Sequence, residues 1–159
     1  MNIRIGHGYD AHRFGEGREL VLGGVKIEYE KGLVGHSDAD VLIHAVMDAL
    51  IGAMALGDIG KHFPESDKEY LGISSIELLK KTRALMFSEG YDIVNLDATL
   101  ILERPKIAKY VEEMRKNIAE VLECSVSCVN IKATTEEKMG FTGSGDGASA
   151  HAVVLIEKG

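Results

Sequence analysis

The segment SDADVLIHAVMDALIGAMALG, residues 37–57, restricts the fold more than any other, because its length and apolar content predict one long helix. Ser37 is the expected N-terminal cap, two acidic residues near the start suit the positive end of the helix, and Gly57 is expected to end it. The many Ala and Gly residues imply close packing against neighbouring elements. The apolar stretch is short for a membrane span and contains His44 and Asp48, so we expect a soluble protein.

Shorter segments on both sides of this helix predict an α+β fold. Residues 1–9, VSCVNIKA and ASAHAVVLIEK are expected strands, and Gly23-Gly24 within ELVLGGVKIEY marks a hairpin. Residues 73–89 and 106–123 predict a second and a third helix. We therefore predict a single domain over residues 1–159, with a mixed sheet of roughly four strands, a small hairpin, and three helices packed on one sheet face.

The segment YDIVNLDATLILE alternates between apolar and polar residues, which predicts a strand with two different faces. Val94, Leu96, Ala98, Leu100 and Leu102 are expected on the core face. The opposite sheet face would carry Asn95, Asp97, Thr99, Lys132 and His151 among apolar residues. That mixture is too polar for a monomer core and too apolar for plain surface, which indicates an oligomer whose subunits present this face to each other.

Composition excludes several classes of protein. A net charge of −7 over 159 residues argues against a general nucleic-acid surface, and an acidic protein that handles phosphates needs local Lys, Arg or bound metal. The two cysteines are too few for a disulfide framework and are expected to be reduced thiols. Because MNIRIGHGYD has no apolar segment, we expect no signal peptide and a cytoplasmic protein without membrane contact.

The stretch GYDAHRF places an acid and an imidazole two residues apart. On a strand, Asp10 and His12 would point to one side, where His44 from the long helix can join them. Taken alone, the first pair also fits a solvated hairpin end, and a helical histidine also fits a satisfied core residue. Together they supply three ligands of the kind that zinc prefers, leaving a fourth position open, and Asp40 or Asp48 can hold the other ring nitrogen of His44.

Further segments carry groups suited to anions or cations. His36 and Ser37 precede the long helix, where free N–H groups attract anions, although Ser37 can simply cap it. Lys106, in ERPKIAK, can meet a phosphate, or this proline segment can serve only to start a helix. The loop ATTEEKMGFTGSGDG offers hydroxyl donors and, in Glu137, a ligand for a hard cation. It lacks the G-K-[ST] end of a P-loop.

In this order, RIGHGYDAHRF, GHSDADVLIHAVMDALIGAMALGDIGKHFPESD and ATTEEKMGFTGSGDG resemble the 2-C-methyl-D-erythritol 2,4-cyclodiphosphate synthase family over nearly the whole chain. The resemblance implies that Asp10, His12 and His44 bind Zn²⁺, and that Glu137 binds a second divalent cation, Mg²⁺ or Mn²⁺. It also implies catalytic roles for His36 and Thr135, and a homotrimer with active sites between subunits and sheets facing the trimer axis.

The resemblance assigns each remaining segment to one part of the substrate. Residues 58–60 and 63–67 would hold the methylerythritol portion, residues 102–108 the cytidine, and residues 134–137 the diphosphate. The substrate contacts so implied are Asp10, His12, His36, Ser37, Asp58, Ile59, Gly60, Phe63, Pro64, Glu65, Ser66, Asp67, Leu102, Glu103, Arg104, Pro105, Lys106, Ile107, Ala108, Thr134, Thr135, Glu136, Glu137, Phe141 and Ser144. Ser144 departs from the family pattern, which often has Arg there.

The implied reaction is an intramolecular phosphoryl transfer. The 2-phosphate of 4-diphosphocytidyl-2-C-methyl-D-erythritol 2-phosphate attacks the β-phosphorus, expels CMP and closes a cyclic diphosphate, a step of the non-mevalonate isoprenoid pathway. From the residues alone, two other functions stay open. One is a metal-dependent phosphoesterase that activates water, and the other is a non-catalytic trimeric binding protein whose zinc only joins strand to helix.

Overall fold

The computed structural model describes the whole chain, residues 1–159. Its strands are β1 (Ile3–Gly15), β2 (Leu20–Leu22), β3 (Val25–Ile27), β4 (Gly32–Leu33), β5 (Tyr91–Ile101), β6 (Val129–Thr134) and β7 (Gly147–Lys158). Its α-helices are α1 (Val41–Ala53), α2 (Ile59–His62), α3 (Ser75–Ser88), α4 (Val111–Leu122) and α5 (Gly140–Gly143), with 3₁₀ turns at Lys68–Tyr70, Ala108–Tyr110 and Val126–Cys128.

The main sheet is mixed, with strand order β4-β1-β7-β5-β6, and β2-β3 forms a separate hairpin. Only β5 and β6 run parallel; the other neighbours are antiparallel. The predicted α+β architecture is therefore confirmed. The very short β4 adds a fifth strand to the expected four, and the single-turn helices α2 and α5 join the three long helices.

One hydrophobic cluster of 37 buried residues fills the space between the sheet and the helices. Ten residues of α1 belong to the buried set, so this helix is enclosed on most of its sides. None of the helices combines the length and the apolar character needed to cross a membrane.

The start of α1 differs from the sequence prediction. Ala39 has a left-handed backbone (φ 58°), which separates Ser37 from the helix, and Asp40 is the N-cap, accepting the Ile43 N–H. The helix also ends at Ala53, before the expected Gly57. Ser37 as cap was therefore wrong, because its hydroxyl accepts the N–H of Ala39 instead.

Asp40 fixes more than the helix start. Its carboxylate is fully buried and accepts the N–H groups of Gly23 (3.0 Å) and Gly24 (2.8 Å), the two turn residues of the β2-β3 hairpin. Both glycines have positive φ, as a two-residue hairpin turn requires. Burial, together with the nearby Asp38 charge, raises the pKa of Asp40 to about 6.

A bulge in β5 changes which of its residues face the core. Ile93 pairs with Ile156 and Asn95 pairs with Leu155, so Val94 is an extra residue on the β5 side. Ile93 therefore packs against the core on one side of the bulge, and Leu96 does so on the other. Placing Val94 in the core-facing series was wrong, because strict alternation assumes an unbroken register.

The sheet face opposite the helices carries the mixture of residues that the sequence predicted. Paired strands align Tyr9, His151, Thr99 and Lys132 in one row and His7, Val153, Asp97 and Asn130 in the next. The Lys132 ammonium donates to Asp97 at 2.6 Å, and this hydrogen bond lowers the pKa of Asp97. Large apolar side chains on the face are exposed, namely Ile3, Ile5, Tyr9 and Val153.

The packing of α1 on β1 is unusually close because two strand residues facing the helix are glycines. A Cβ atom at Gly6 would lie 1.9 Å from the Ala49 carbonyl oxygen, and one at Gly8 would lie 1.9 Å from that of Ala45. Neither glycine has a positive φ, so the requirement is for space and not for backbone conformation. The expected close approach of the Ala- and Gly-rich helix is confirmed.

We predict that Gly8→Ala destabilises the fold by roughly 1–3 kcal/mol, because its methyl group would force β1 and α1 apart. The matched control is Gly52→Ala in α1, where a Cβ meets nothing within 4 Å. That variant should gain up to about 1 kcal/mol, since alanine favours a helix over glycine. Urea unfolding at one protein concentration measures both, and equal midpoints for the two variants would contradict the close-packing argument.

Candidate functional site

The strand β1 runs through GYDAHRF and places Asp10 and His12 on the face that α1 covers, next in series after Gly6 and Gly8. His44 lies on α1 opposite them. The oxygen Oδ2 of Asp10 is 2.8 Å from Nε2 of His12 and 3.1 Å from Nδ1 of His44. The two ring nitrogens are 3.3 Å apart. The predicted convergence of the D-x-H pair with the helical histidine is confirmed.

The protonation of this cluster follows from its hydrogen bonds. Burial alone would raise the pKa of Asp10, but hydrogen bonds and charge from His12 and His44 outweigh it and lower the pKa to about 2. Burial would lower the pKa of His12, yet the hydrogen bond and charge of Asp10 raise it. Asp10 is therefore ionised at neutral pH, and a cation is the partner that this carboxylate favours.

The donor set fits a metal ion. One carboxylate oxygen and two imidazole nitrogens lie within 4.8 Å of one another in a partly buried position. Three such ligands suit tetrahedral Zn²⁺ and leave one position for a non-protein ligand. The chain has no second group of three potential ligands, so this is its one candidate metal centre.

The outer ring nitrogens of both histidines have partners that the sequence did not predict. Nδ1 of His12 lies 3.0 Å from the Val34 carbonyl oxygen, an acceptor that no side-chain pattern reveals. Nε2 of His44 lies 2.9 Å from the Ser75 hydroxyl and 3.1 Å from the Ser37 hydroxyl.

The expected holders of the outer His44 nitrogen were wrong. Asp40 is occupied by the hairpin turn, as described above. Asp48 accepts the N–H of Ile59 at 3.0 Å and so anchors α2. Helical spacing places both carboxylates near His44, but backbone donors outside α1 take up their oxygens.

The metal centre opens into a cleft of about 250 Å³. Of the residues assigned to substrate by resemblance, His36, Ser37, Ile59, Gly60, Phe63 and Glu65 line it together with the three ligands. The structure adds further lining residues that the sequence did not indicate, namely Tyr9, Asp48, Tyr70 and Leu78.

Several other residues of the 58–67 loop hold the loop in place by hydrogen bonds without lining the cleft. Asp58 caps α2 by accepting the Lys61 N–H at 2.9 Å, and Asp67 accepts the Glu69 N–H. The Asp67 carbonyl oxygen lies 3.1 Å from Nε2 of His36, which fixes the orientation of that ring. Asp58, Asp67, Pro64 and Ser66 do not line the cleft itself.

A second pocket, of about 400 Å³, lies at the carboxyl ends of β5 and β6. It contains most of the predicted cytidine segment and both threonines, since it is lined by Leu102, Glu103, Pro105, Lys106, Ile107, Ala108, Val111, Ala133, Thr134 and Thr135. Arg104 does not line it. Pro105 lies six positions before α4, so the proline does not begin that helix as expected.

The loop between β6 and β7 holds the remaining assigned residues. Glu137 is exposed, has a left-handed backbone (φ 53°), and donates its N–H to the Thr135 hydroxyl at 3.3 Å. The Glu136 carboxylate accepts the Thr142 hydroxyl, and Ser144 donates to Asp146 at 2.8 Å. Phe141 lines a separate hollow that includes His12. Glu137 does not join a cluster of potential ligands, so a second cation there stays a prediction.

The two pockets are far apart within one chain. Strand pairing puts Asp10, Ala150, Leu100 and Ala133 in one row across the sheet. Three strand steps separate the ends of that row, about 14 Å at the usual spacing of about 4.8 Å. The metal centre and the threonine pocket therefore do not form a single cavity in one protomer.

Comparison with known proteins gives consistent matches over almost the whole chain. Residues 3–157 match the YgbB family model. The 2-C-methyl-D-erythritol 2,4-cyclodiphosphate synthase of Chloroherpeton thalassium is 60% identical over 156 residues, which cover 98% of this chain and 99% of that protein.

Solved structures show the same fold. The CDP complex of IspF from Plasmodium falciparum is 35% identical, with a TM-score of 0.86, and the match covers 99% of this chain and 97% of that one. The bifunctional IspDF of Campylobacter jejuni is 39% identical, with a TM-score of 0.95 over 99% of this chain. This chain spans 42% of that bifunctional protein.

We predict that Asp10→Ala and His44→Ala each reduce bound zinc from stoichiometric to residual, because either change leaves two of the three ligands. Elemental analysis of the purified proteins measures the metal content directly. Asp92→Ala, which removes an exposed carboxylate of β5, is the control and should retain zinc. Full zinc occupancy in both ligand variants would contradict the metal centre.

Proposed function

Because the chain belongs to the YgbB family of 2-C-methyl-D-erythritol 2,4-cyclodiphosphate synthases, we propose that its two pockets hold the two ends of one cytidylylated substrate. The enzyme converts 4-diphosphocytidyl-2-C-methyl-D-erythritol 2-phosphate to 2-C-methyl-D-erythritol 2,4-cyclodiphosphate and CMP. This step belongs to non-mevalonate isoprenoid precursor synthesis. The observation that carries the site assignment is the Asp10–His12–His44 cluster at the mouth of a cleft.

We assign Zn²⁺ to these three ligands. When bound, it supplies a Lewis acid that neutralises phosphate charge in a protein of net charge −7. The chain's part is to hold three donors within 4.8 Å of one another on two rigid elements, β1 and α1. The assignment is supported by the nitrogen and oxygen donor set and by the hydrogen-bonded outer nitrogens of both histidines.

The chemistry requires positioning and charge neutralisation from the protein and no general base. A phosphate monoester has a second pKa of about 6, so the attacking 2-phosphate is mostly deprotonated at neutral pH. Its oxygen forms a bond to the β-phosphorus while the bond to the α-phosphate oxygen breaks, and CMP leaves. The protein must hold attacking and leaving oxygens in line.

His36 and Thr135 are proposed to stabilise the transition state. His36 has Nε2 directed at the Asp67 carbonyl oxygen, so its N–H donates there. Nδ1 then carries a second proton only in the imidazolium form, which would offer both charge and a donor to phosphate oxygens. The Thr135 hydroxyl lines the second pocket and can donate to the diphosphate.

The second pocket is proposed to bind the cytidine. Its walls combine an apolar part, from Leu102, Ile107 and Val111, with polar groups on Lys106 and the two threonines. A pocket of about 400 Å³ with this lining suits a planar base attached to a diphosphate. The related IspF of Plasmodium falciparum was solved as a CDP complex, which supports a cytidine nucleotide as ligand of this chain.

A homotrimer with active sites between subunits brings the metal cleft of one subunit next to the second pocket of its neighbour. The pockets lie about 14 Å apart in one chain, further than one compact site allows, whereas the pocket of a neighbouring subunit can complete the metal cleft. The uncovered sheet face, with Ile3, Ile5, Tyr9 and Val153 exposed, supplies an apolar surface for the assembly.

Two simpler assignments complete the proposal. Residues 1–159 are taken as one cyclodiphosphate synthase domain, supported by a single core and by the family match to residues 3–157. A cytoplasmic location, without nucleic-acid or membrane partners, stays a prediction.

The decisive test is incubation with the cytidylylated substrate in ¹⁸O-labelled water, followed by mass spectrometry of the products. A cyclase gives CMP and the cyclic diphosphate without solvent oxygen in either. Products that contain ¹⁸O would instead identify a phosphoesterase, and absence of turnover with zinc bound would leave a binding protein.

We predict that Glu137→Gln retains zinc but requires a far higher Mg²⁺ concentration for turnover. The carboxylate is the proposed ligand of the hard cation, and an amide oxygen is a weaker ligand for it. Activity is measured against Mg²⁺ concentration, with Glu113→Gln, at an exposed position of α4, as the control. The proposed role fails if the Mg²⁺ dependence of Glu137→Gln matches that of the unaltered enzyme.

We also predict that Asp10→Ala and Glu137→Ala are each inactive but complement each other in mixed trimers. At one junction, a Glu137→Ala subunit offers intact zinc ligands while an Asp10→Ala subunit offers an intact Glu137. Random mixing makes about a quarter of junctions wholly unaltered, since each side is correct about half the time. The two proteins are unfolded together, refolded, and assayed against each refolded alone.

Recovery near a quarter of the normal activity supports the shared site. If native mass spectrometry shows mixed trimers and no activity returns, each subunit houses its own site.

A further inference from the structure

The two ring nitrogens of His44 face different surroundings. Nδ1 points to the metal side, 3.1 Å from Asp10 and 3.3 Å from the His12 nitrogen. Nε2 points away from it, 2.9 Å from the hydroxyl of Ser75, the first residue of α3. A neutral imidazole carries one proton, so whichever nitrogen holds it decides whether Nδ1 has a free lone pair.

The Ser75 hydroxyl is also bonded to a carboxylate. Its oxygen makes a very short contact with Oδ1 of Asp38, and the Ser75 N–H donates to Oδ2 of the same carboxylate at 3.0 Å. An ionised carboxylate only accepts, so the Ser75 hydroxyl hydrogen must point toward Asp38. The lone pairs of that hydroxyl are then all that remains to face His44.

This fixed direction favours a proton on Nε2 of His44. If Nε2 were bare, two lone pairs would face each other at 2.9 Å in a site where Ser75 is completely buried and water cannot intervene. We propose that Asp38 and Ser75 form a hydrogen-bond relay that favours the Nε2–H tautomer of His44, against the pull of Asp10 on the other nitrogen, and so favours an Nδ1 lone pair that can bind a metal. Both act as positioning residues, because neither touches the metal side of the ring.

The hydroxyl of Ser37 does not perform this function. It lies 3.1 Å from the same nitrogen and its oxygen accepts the Ala39 N–H, but no carboxylate fixes the direction of its hydrogen. It can therefore donate to Nε2 or accept from it, and it favours neither tautomer. The Ser75 hydroxyl has only one orientation, because Asp38 takes its hydrogen.

Asp38 also has a structural role, which the test must distinguish from its role in the relay. Ser74 makes no side-chain cap bond, so the Asp38 carboxylate serves as the N-terminal acceptor of α3 through the Ser75 N–H. It also accepts the Asp40 N–H at 3.1 Å. Replacing Asp38 would disturb these backbone bonds, whereas Ser75→Ala removes only the hydroxyl and keeps the capped N–H.

The test compares Ser75→Ala with Thr82→Val. Thr82 is another completely buried hydroxyl of α3, which donates to the Leu78 carbonyl oxygen at 3.0 Å, away from the cleft. Zinc dissociation constants are measured by competition with a chelator. The relay predicts about 10- to 100-fold weaker zinc binding for Ser75→Ala, as for other residues that orient a metal-binding histidine. Thr82→Val should bind zinc as the unaltered protein does.

A second measurement reports the tautomer directly in metal-free protein. Without metal, the ionised Asp10 oxygen at 3.1 Å favours a proton on Nδ1 and the relay favours one on Nε2. Imidazole ¹⁵N shifts at alkaline pH should therefore show a larger Nε2–H fraction for His44 in the unaltered protein than in Ser75→Ala. Either an unchanged zinc affinity or an unchanged tautomer balance in Ser75→Ala would overturn the relay.

The proposed relay rests on the metal centre of the proposed function, but failure of the relay can be distinguished from failure of that function. If the unaltered protein binds no zinc, the proposed function fails, while the metal-free tautomer still decides the relay. If zinc binds equally to all three proteins, the relay fails and the metal centre stands.

Discussion

The contact between α1 and β1 is the constraint on which the rest of the structure depends. Two glycines on β1 let the strand approach the carbonyl oxygens of Ala45 and Ala49, which lowers α1 onto the sheet. The next two residues on the same strand face are Asp10 and His12, which then meet His44. The same alternation of side chains along β1 thus determines both the close packing on α1 and the position of the metal ligands. A slip of one residue in its register would turn both ligands to the other face.

Carboxylates near the start of α1 organise the surroundings of this contact. Asp40 holds the hairpin turn through two glycine N–H groups, and Asp38 holds the first residue of α3. A buried carboxylate is stabilised where several N–H donors converge on it. In this acidic chain, these two side chains therefore act as acceptors that join three segments around the helix carrying His44.

The sequence indicated much of the site because its ligands follow local rules. The two-residue strand period and a helical histidine indicated that Asp10, His12 and His44 could meet, and the family resemblance assigned them to one zinc site. The residues behind the ligands could not be predicted in this way. Ser75 is 31 positions from His44, and its hydroxyl reaches His44 only because α3 begins against the loop before α1.

The errors have the same origin. Asp40 and Asp48 have the right helical spacing to reach His44, but N–H groups of Gly23, Gly24 and Ile59 occupy them. Those donors belong to elements whose position relative to α1 cannot be predicted from the local periodicity of the sequence. In β5, the single extra residue at Val94 shifts the alternation, and only pairing with β7 reveals it.

The pairing of β1 with β7 also has a consequence for biosynthesis. Ile3 pairs with Glu157, and apart from the short β4 contact at Phe14 and Gly15, β7 is the only strand partner of β1. Because β1 precedes β7 by the length of this domain, its hydrogen-bonding edge stays open during synthesis until β7 has left the ribosome. The strand that carries Asp10 and His12 reaches its final position only after β7 has been synthesised.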